Sequence, residues 1–313
     1  MTITAPSFFQ RKRCAACLLL AAVLFWAGNV VVARAFSNDL PPLWLTLGRW
    51  ACASLLLCPL AASALRQQYK LLWQQRWHLL WLAATGIAAN NALIYMGVAR
   101  AGVTSAAALQ TLTPVWIVLL SALRQRLPLR TWAGVMLAMC GAVLIAVHGD
   151  LGDIRQAIAG SGTLWLLAAS LCWAGYTLGV VRLPGQLDPG ALLATQAVLG
   201  SLLLLPLALW LEPQGLNSTL SRADWLALAY LALFPSVLAY AFYRRGADRL
   251  GATFAGNCMN LMPPMSALLS MIFLGEHLQT FHVIGFAAIM AGLALGSSRP
   301  LTLPWRMQLA QRG

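Results

Sequence analysis

Polar side chains that interrupt long apolar runs carry whatever chemistry this sequence can do. Arg49 is the sharpest of them. It lies about a third of the way into the run 42–62, and no acidic residue falls in the core of any apolar run to pair with it. An ionisable group at such depth is expensive and marks a functional site by default. Three roles are open for it: snorkelling to a surface, capping a helix C-terminus, or meeting a carboxylate that enters from outside. Other polar groups recur at helical spacing. Thr253, Asn257, Asn260 and Pro264 follow at steps of four, three and four, which puts them on one helix face. Asn91 and Tyr95 share a face, with Asn90 beside it, and so do Ser236, Tyr240 and Tyr243. Thr104 and Thr111 form another, with Gln110 adjacent. Trp26 with Asn29, and Trp173 with Tyr176, complete the set. Such residues either glue helices together or line a cavity. Interhelical polar contacts in membranes average only about 0.6 kcal/mol each, so glue alone is a modest return for so many.

Other chemistry is not visible. There is no GxxxxGK(S/T) phosphate loop, no HExxH and no GxSxG. Neither direct ATP use nor a membrane hydrolase is expected; no enzyme activity, cofactor or metal is implied. Cys14 and Cys17 form a lone CxxC without a second pair, so the seven cysteines read as small buried hydrophobes. His78, His148, His277 and His282 fall near run ends, and this leaves no titratable group at depth for proton coupling.

The elements that must position these residues are membrane helices. The chain has 313 residues, 60% hydrophobic and 9% charged, a balance outside the range of soluble domains. Ten apolar runs are long enough or nearly so to span a bilayer: 14–35, 42–62, 77–98, 102–123, 131–149, 162–182, 190–211, 223–243, 251–273 and 281–298. The net charge of +13 does not imply a nucleic-acid partner. With the N-terminus in the cytoplasm, sixteen basic residues fall on the inner side and four outside, while six of the eight acids fall outside. Both termini are therefore expected in the cytoplasm. Arg11-Lys12-Arg13, an apolar run and "ARA" at 33–35 resemble a secretory signal with a cleavage site. The run is longer than a usual signal core, and the repeat below requires the helix to stay.

The second half of the chain repeats the first. "ARAGVTSAAALQTLTP" (99–114) lies over "DRLGATFAGNCMNLMP" (248–263) at an offset of 149, and Trp26-Ala27-Gly28 lies over Trp173-Ala174-Gly175 at 147. Arg49 meets Gln196, Asn29 meets Tyr176, Asn91 meets Tyr240 and Thr111 meets Asn260. Five helices is an odd number, so the halves cross the membrane in opposite senses. The basic "RQRLPLR" against "GEHLQT" agrees with that. Inverted repeats are an architecture of secondary transporters, with the substrate site between the halves. Pro114 falls on Pro263, followed by Pro264. These prolines are either packed kinks or hinges about which one half rocks. Gly134, Ala138 and Gly141, and Gly285, Gly292 and Gly296, leave smooth faces that join the two halves or two protomers of a homodimer.

The order of these motifs resembles the EamA family of the drug/metabolite transporter superfamily. The matching features are the tryptophan-small-glycine starts, the arginine of "LGRWACASLLL", the proline of the fourth and ninth runs, "LGEHL" and the glycine-bearing last run of each half. The resemblance implies an all-α polytopic protein of the bacterial inner membrane, its ten helices arranged as two inverted five-helix repeats. Residues 1–13 form a cytoplasmic tail, 14–149 the first repeat, 150–161 a periplasmic linker, 162–298 the second repeat and 299–313 a second tail. It implies export of a small polar metabolite, an amino acid or a derivative; the alternatives are a drug or cation exporter and a membrane-embedded protein that transports nothing. The family usually ends the fourth helix on a glutamate like Glu276, but Gln125 stands there. A role for a symmetric glutamate pair is in doubt, and Glu276 is expected to serve a helix end.

Overall fold

The computed structural model describes residues 8–123, 128–150, 162–217, 220–251, 255 and 258–296. Among them there is no strand. The helices are α1 (Phe8–Ala35), α2 (Pro42–Leu60), α3 (Ala62–Gln74), α4 (Arg76–Ala101), α5 (Val103–Gln110), α6 (Thr113–Ala122), α7 (Leu129–Ala146), α8 (Thr163–Val180), α9 (Pro189–Leu211), α10 (Arg222–Leu250), α11 (Met262–Leu274) and α12 (Thr280–Gly296). Eight segments are long and apolar enough to cross a membrane, α5 and α6 counting as one over Val103–Leu120; α11 and α12 are apolar but shorter.

Local chemistry sets several ends. Asp188 caps α9, its carboxylate accepting from Gly190 N at 2.8 Å and Ala191 N at 3.0 Å, ahead of Pro189 in the first turn. Ser221 and Asp224 form a reciprocal capping box at the start of α10. Gly102, between α4 and α5, has φ +78°, and Gly275, after α11, has φ +67°. Side chains with a Cβ rarely adopt that region, and a glycine there turns the chain without strain.

Pro114, Pro263 and Pro264 mark breaks rather than bends. The run 102–123, expected as one helix, is two. α5 ends at Gln110, Leu112 N bonds Leu109 O at 3.1 Å in a tight turn, and α6 starts at Thr113 with Pro114 second. The same turn recurs 149 residues later, where Leu261 N bonds Cys258 O at 3.0 Å and α11 carries Pro263 and Pro264 second and third. A proline in the first turn of a helix costs no hydrogen bond, because those N–H groups lack intrahelical acceptors anyway.

Two π turns widen other helices, Ala83–Ala89 in α4 and Phe234–Leu238 in α10. The second has a clear local cause. Pro235 has no N–H to give to Leu231 O, and the Ser236 hydroxyl donates to that carbonyl instead, at 2.8 Å. In the first, Asn91 Nδ2 donates to Gly86 O at 3.0 Å and Ile87 O at 2.9 Å. Backbone freed in a bilayer must be satisfied by protein, and here side chains do it.

Packing is by small residues. α7 lies along α12, with Gly134 against Gly292 and Gly296 and with Gly141 against Gly285 and Ala288. The glycine faces noted in the sequence meet each other within one chain. α2 packs on α9, α1 on α10 and α11, and α8 on α4, α5 and α6. A further helix, α3, 13 residues long and outside the ten apolar runs, joins α2 to α4.

Candidate substrate site

Arg49 is 2% exposed. It neither snorkels nor caps a helix. Its Nε donates to Ser236 Oγ of α10 at 2.7 Å. Its Nη1 donates to Asn29 Oδ1 of α1 and to Asn91 Oδ1 and Tyr95 Oη of α4, each at 2.9 Å. Two N–H groups on Nη1 thus share three acceptors. Tyr95 Oη donates onward to Asn29 Oδ1 at 2.6 Å. Nη2 has no hydrogen-bond partner among the described residues, and no described carboxylate lies within 4.0 Å of the guanidinium. A buried cation is therefore met by neutral oxygens and by the Trp50 ring, 4.8 Å from its central carbon, with no carboxylate among the described residues. Uncompensated charge in a low-dielectric interior is costly, and one donor edge remains open for an anion.

Aromatic side chains flank this cluster. Trp26 Nε1 donates to Pro235 O at 3.0 Å, and its ring stands 5.4 Å from both Tyr240 and Tyr243. Trp173 and Tyr176 stack at 4.8 Å, and Tyr176 Oη donates to Gln196 Oε1 at 3.2 Å. Gln196 is 1% exposed, and its Nε2 has no partner among the described residues. The pairing echoes Arg49 with Asn29. In each case the α2 or α9 residue bonds a side chain twenty positions earlier, on α1 or α8.

Other sequence-selected residues go elsewhere. Asn90 faces α8, donating to Ala169 O at 2.9 Å. Thr111, just after α5, donates its hydroxyl back to Ala108 O of that helix at 2.6 Å, so its hydroxyl proton is used locally. Gln110 keeps a buried, unpartnered Nε2 at the end of α5. Asn260 is exposed and lines a cavity of about 520 Å³ with Pro114, Thr131 and Gly292, between α6, α7 and α12. It makes no contact with the Arg49 cluster. Asn257 lies outside the described residues. Gln196 and Tyr230 were not among the sequence-selected lining residues. Gln196 had a signal, its alignment with Arg49. Tyr230 stacks on Phe234 at 5.1 Å and brings its hydroxyl against Gly28, a placement that no spacing rule reveals.

Two carboxylates sit at helix ends. Glu276 accepts from Val103 N at 3.1 Å and Thr104 N at 3.4 Å, at the positive end of α5, and lies 4.0 Å from Arg34 Nε. Glu212, after α9, accepts from Leu43 N at 2.9 Å in the first turn of α2. Burial pushes its carboxyl above the usual range, and the backbone bonds from Leu43 and Trp44 partly oppose that.

Comparison with known proteins places this architecture. The model of the EamA-like transporter family matches residues 13–147 and again 160–298. The chain belongs to this family. Bacillus subtilis (strain 168) "Uncharacterized transporter YetK" is 27% identical over 286 residues, covering 90% of this chain and 87% of its own. The "Probable terminal-alkyne amino-acid exporter" of Streptantibioticus cattleyicolor is 29% identical over 70% of this chain and 72% of its own. "Threonine/homoserine exporter RhtA" of Salmonella typhimurium (strain SL1344) is 26% identical over 71% and 70%. A crystal structure at 21% identity superposes with a TM-score of 0.58 over 95% of this chain and 98% of that one, a likeness of fold. This EamA-family chain is a multi-pass membrane transporter.

Proposed function

We propose that this transporter exports a small polar metabolite, an amino acid or a derivative, by alternating access between two inverted five-helix halves. Ten spanning segments then place both termini in the cytoplasm of a bacterium, with α11 and α12 as the two short ones. The observation that carries the reading is Arg49. It binds Asn29, Asn91 and Tyr95 from the first family match and Ser236 from the second, and among the described residues no carboxylate pairs with it. A zwitterion's carboxylate supplies the missing charge through Nη2, and the aromatic side chains of Trp26, Tyr240 and Tyr176 bound the space for its side chain. Pro114 and Pro263 keep the breaks at which the halves rearrange, since discontinuous helices place polar groups at the midplane of such carriers. Two relatives named as amino-acid exporters support the substrate class.

Counterflow tests it. Proteoliposomes holding the purified chain and an unlabelled amino acid inside, with labelled compound outside and no ion gradient, accumulate label for the true substrate. Accumulation lost in Arg49→Gln but kept in a lipid-facing control supports the reading. Folded protein that exchanges no amino acid, but does exchange a cationic dye, overturns it in favour of drug or cation export.

A further inference from the structure

The helix α3 is built for a membrane surface. Its apolar side carries Leu65, Leu71, Leu72 and Trp73, and its polar side carries Arg66, Gln67 and Lys70. Together with the start of α4 and with Thr195 and Leu199 of α9, it borders an open groove of about 900 Å³. The floor is apolar: Leu65, Leu72, Leu79 and Leu80. The rim is aromatic and basic. Trp73 and Trp77 are 69% and 72% exposed, unusual for so large a hydrophobe facing water but ordinary at a headgroup boundary. The Arg76 guanidinium stands 5.1 Å from the Trp73 ring and 5.7 Å from Trp77, and the Lys70 ammonium 5.9 Å from Tyr69. These rings hold the two cations at the rim. No carboxylate lines the groove, and neither cation has an ion-pair partner among the described residues.

We propose that this groove is a binding site for one anionic phospholipid. Its phosphodiester meets Lys70 and Arg76, its glycerol lies between Trp73 and Trp77, and its acyl chains cover the leucine floor. The occupant is argued from complementarity. An apolar channel open to the bilayer takes an acyl chain, and two unneutralised cations at its mouth select a negative headgroup over a zwitterionic one. Lysine and arginine near a membrane surface each favour anionic lipid. The concentration of basic residues around α3 fits the leaflet that faces the cytoplasm. The site is separate from the Arg49 cluster and does not depend on what is carried.

Native mass spectrometry of the full chain tests the site. The protein is released from micelles holding equal phosphatidylglycerol and phosphatidylcholine. Wild type retains phosphatidylglycerol in excess, and Lys70→Gln with Arg76→Gln lowers that preference by roughly thirtyfold. Arg222→Gln, at the other end of the bundle, leaves it unchanged. Equal retention of the two lipids by wild type, or an unaltered preference in the double variant, overturns the site. Should the variant fail to fold, wild type alone decides the matter. Its preference falls as salt rises to about 1 M, where screening acts within roughly 3 Å. A preference insensitive to salt overturns the proposal equally.

Discussion

Glu276 closes the first turn of a helix that begins 173 residues before it: its carboxylate accepts the N–H of Val103 at 3.1 Å. The contact joins the end of α11 to the start of α5. Gly102, just before that turn, has φ +78°, and a Cβ there would also crowd Glu276 Oε1 at 3.1 Å. Arg34 completes the group, one nitrogen donating to Ala99 O and another 4.0 Å from the carboxylate. Removing an N-capping oxygen costs about 1 kcal/mol, and the charge itself about 0.3–1 kcal/mol. Glu276→Ala is expected to lower the stability of the detergent-solubilised protein by about 1–2 kcal/mol. Glu276→Gln, which keeps one acceptor, loses about half of that. Thermal unfolding of both variants checks the order.

Ser236 has two jobs: it donates to Leu231 O, which Pro235 leaves without a partner, and it accepts from Arg49 Nε. Ser236→Ala leaves a buried carbonyl and a buried guanidinium nitrogen both unpaired. Each unpaired group costs about 1–3 kcal/mol. The double variant Pro235→Ala/Ser236→Ala restores a backbone N–H for Leu231 O and should recover part of the loss. A thermal unfolding series over the two variants measures this, and no recovery in the double variant would show that the hydroxyl's bond to the carbonyl is not what matters.

Arg49→Lys keeps a positive charge but not the fork of donors. An ammonium has three N–H groups on one centre and does not reach Ser236 on one side and Asn29, Asn91 and Tyr95 on the other. Transport is expected to fall by more than tenfold in Arg49→Lys as well as in Arg49→Gln, with the chain still folded. Counterflow rates alongside melting curves separate the two effects. A lysine variant with wild-type flux would reduce the role of Arg49 to simple charge.

Gly134 and Gly292 face one another so closely that a Cβ on either would strike backbone atoms of the opposite helix. Backbone does not step aside as a flexible side chain does. Gly134→Ala or Gly292→Ala must push α7 away from α12, and overpacking of this kind costs about 1–3 kcal/mol. Gly175, whose nearest neighbour is a Trp81 ring carbon 3.7 Å from an added Cβ, serves as the tolerant control. Unfolding curves of the three alanine variants test the contrast.

The periodicity of the sequence made the helices legible, and with them the side chains that share a face. Asn91 and Tyr95, one turn apart, both reach Arg49 because helical geometry alone puts them on one side. The role of Glu276 at a helix end was also legible, since a carboxylate after the last apolar turn of a run has few other uses. Which neighbour a face meets is another matter, because that is set by packing between segments distant in the chain. Asn260 occupied the right face of its run, yet it lines the space beside α7 and α12. The break of 102–123 and the π turn of α10 followed from prolines that the sequence displayed, whereas the π turn of α4 contains none. Proline specifies only that an N–H is missing, and whether a helix bends, breaks or widens depends on which group fills the gap. At Leu231 O that group is a serine hydroxyl. The helix α3 was hidden because Arg66, Lys70 and its three glutamines give it the composition of a basic loop.

Glu212 gives the molecule a defined response to pH. Burial raises its carboxyl above the ordinary carboxylate value, and the hydrogen bonds from Leu43 and Trp44 reduce but do not reverse the shift. The folded protein therefore binds this proton more tightly than the unfolded chain does. By linkage, the contribution of this group to stability is fullest below the unfolded value and is lost as pH rises through the folded one. As pH falls from neutral toward the ordinary carboxylate range, the melting temperature should carry a component that increases on acidification. Glu212→Gln abolishes the titration while keeping an acceptor for Leu43 N, so its melting temperature should lack that component. The difference between the two pH profiles isolates Glu212 from every other acid in the chain. A wild-type profile that instead gains stability relative to the glutamine variant as pH rises would mean that the backbone bonds, not burial, dominate at the start of α2.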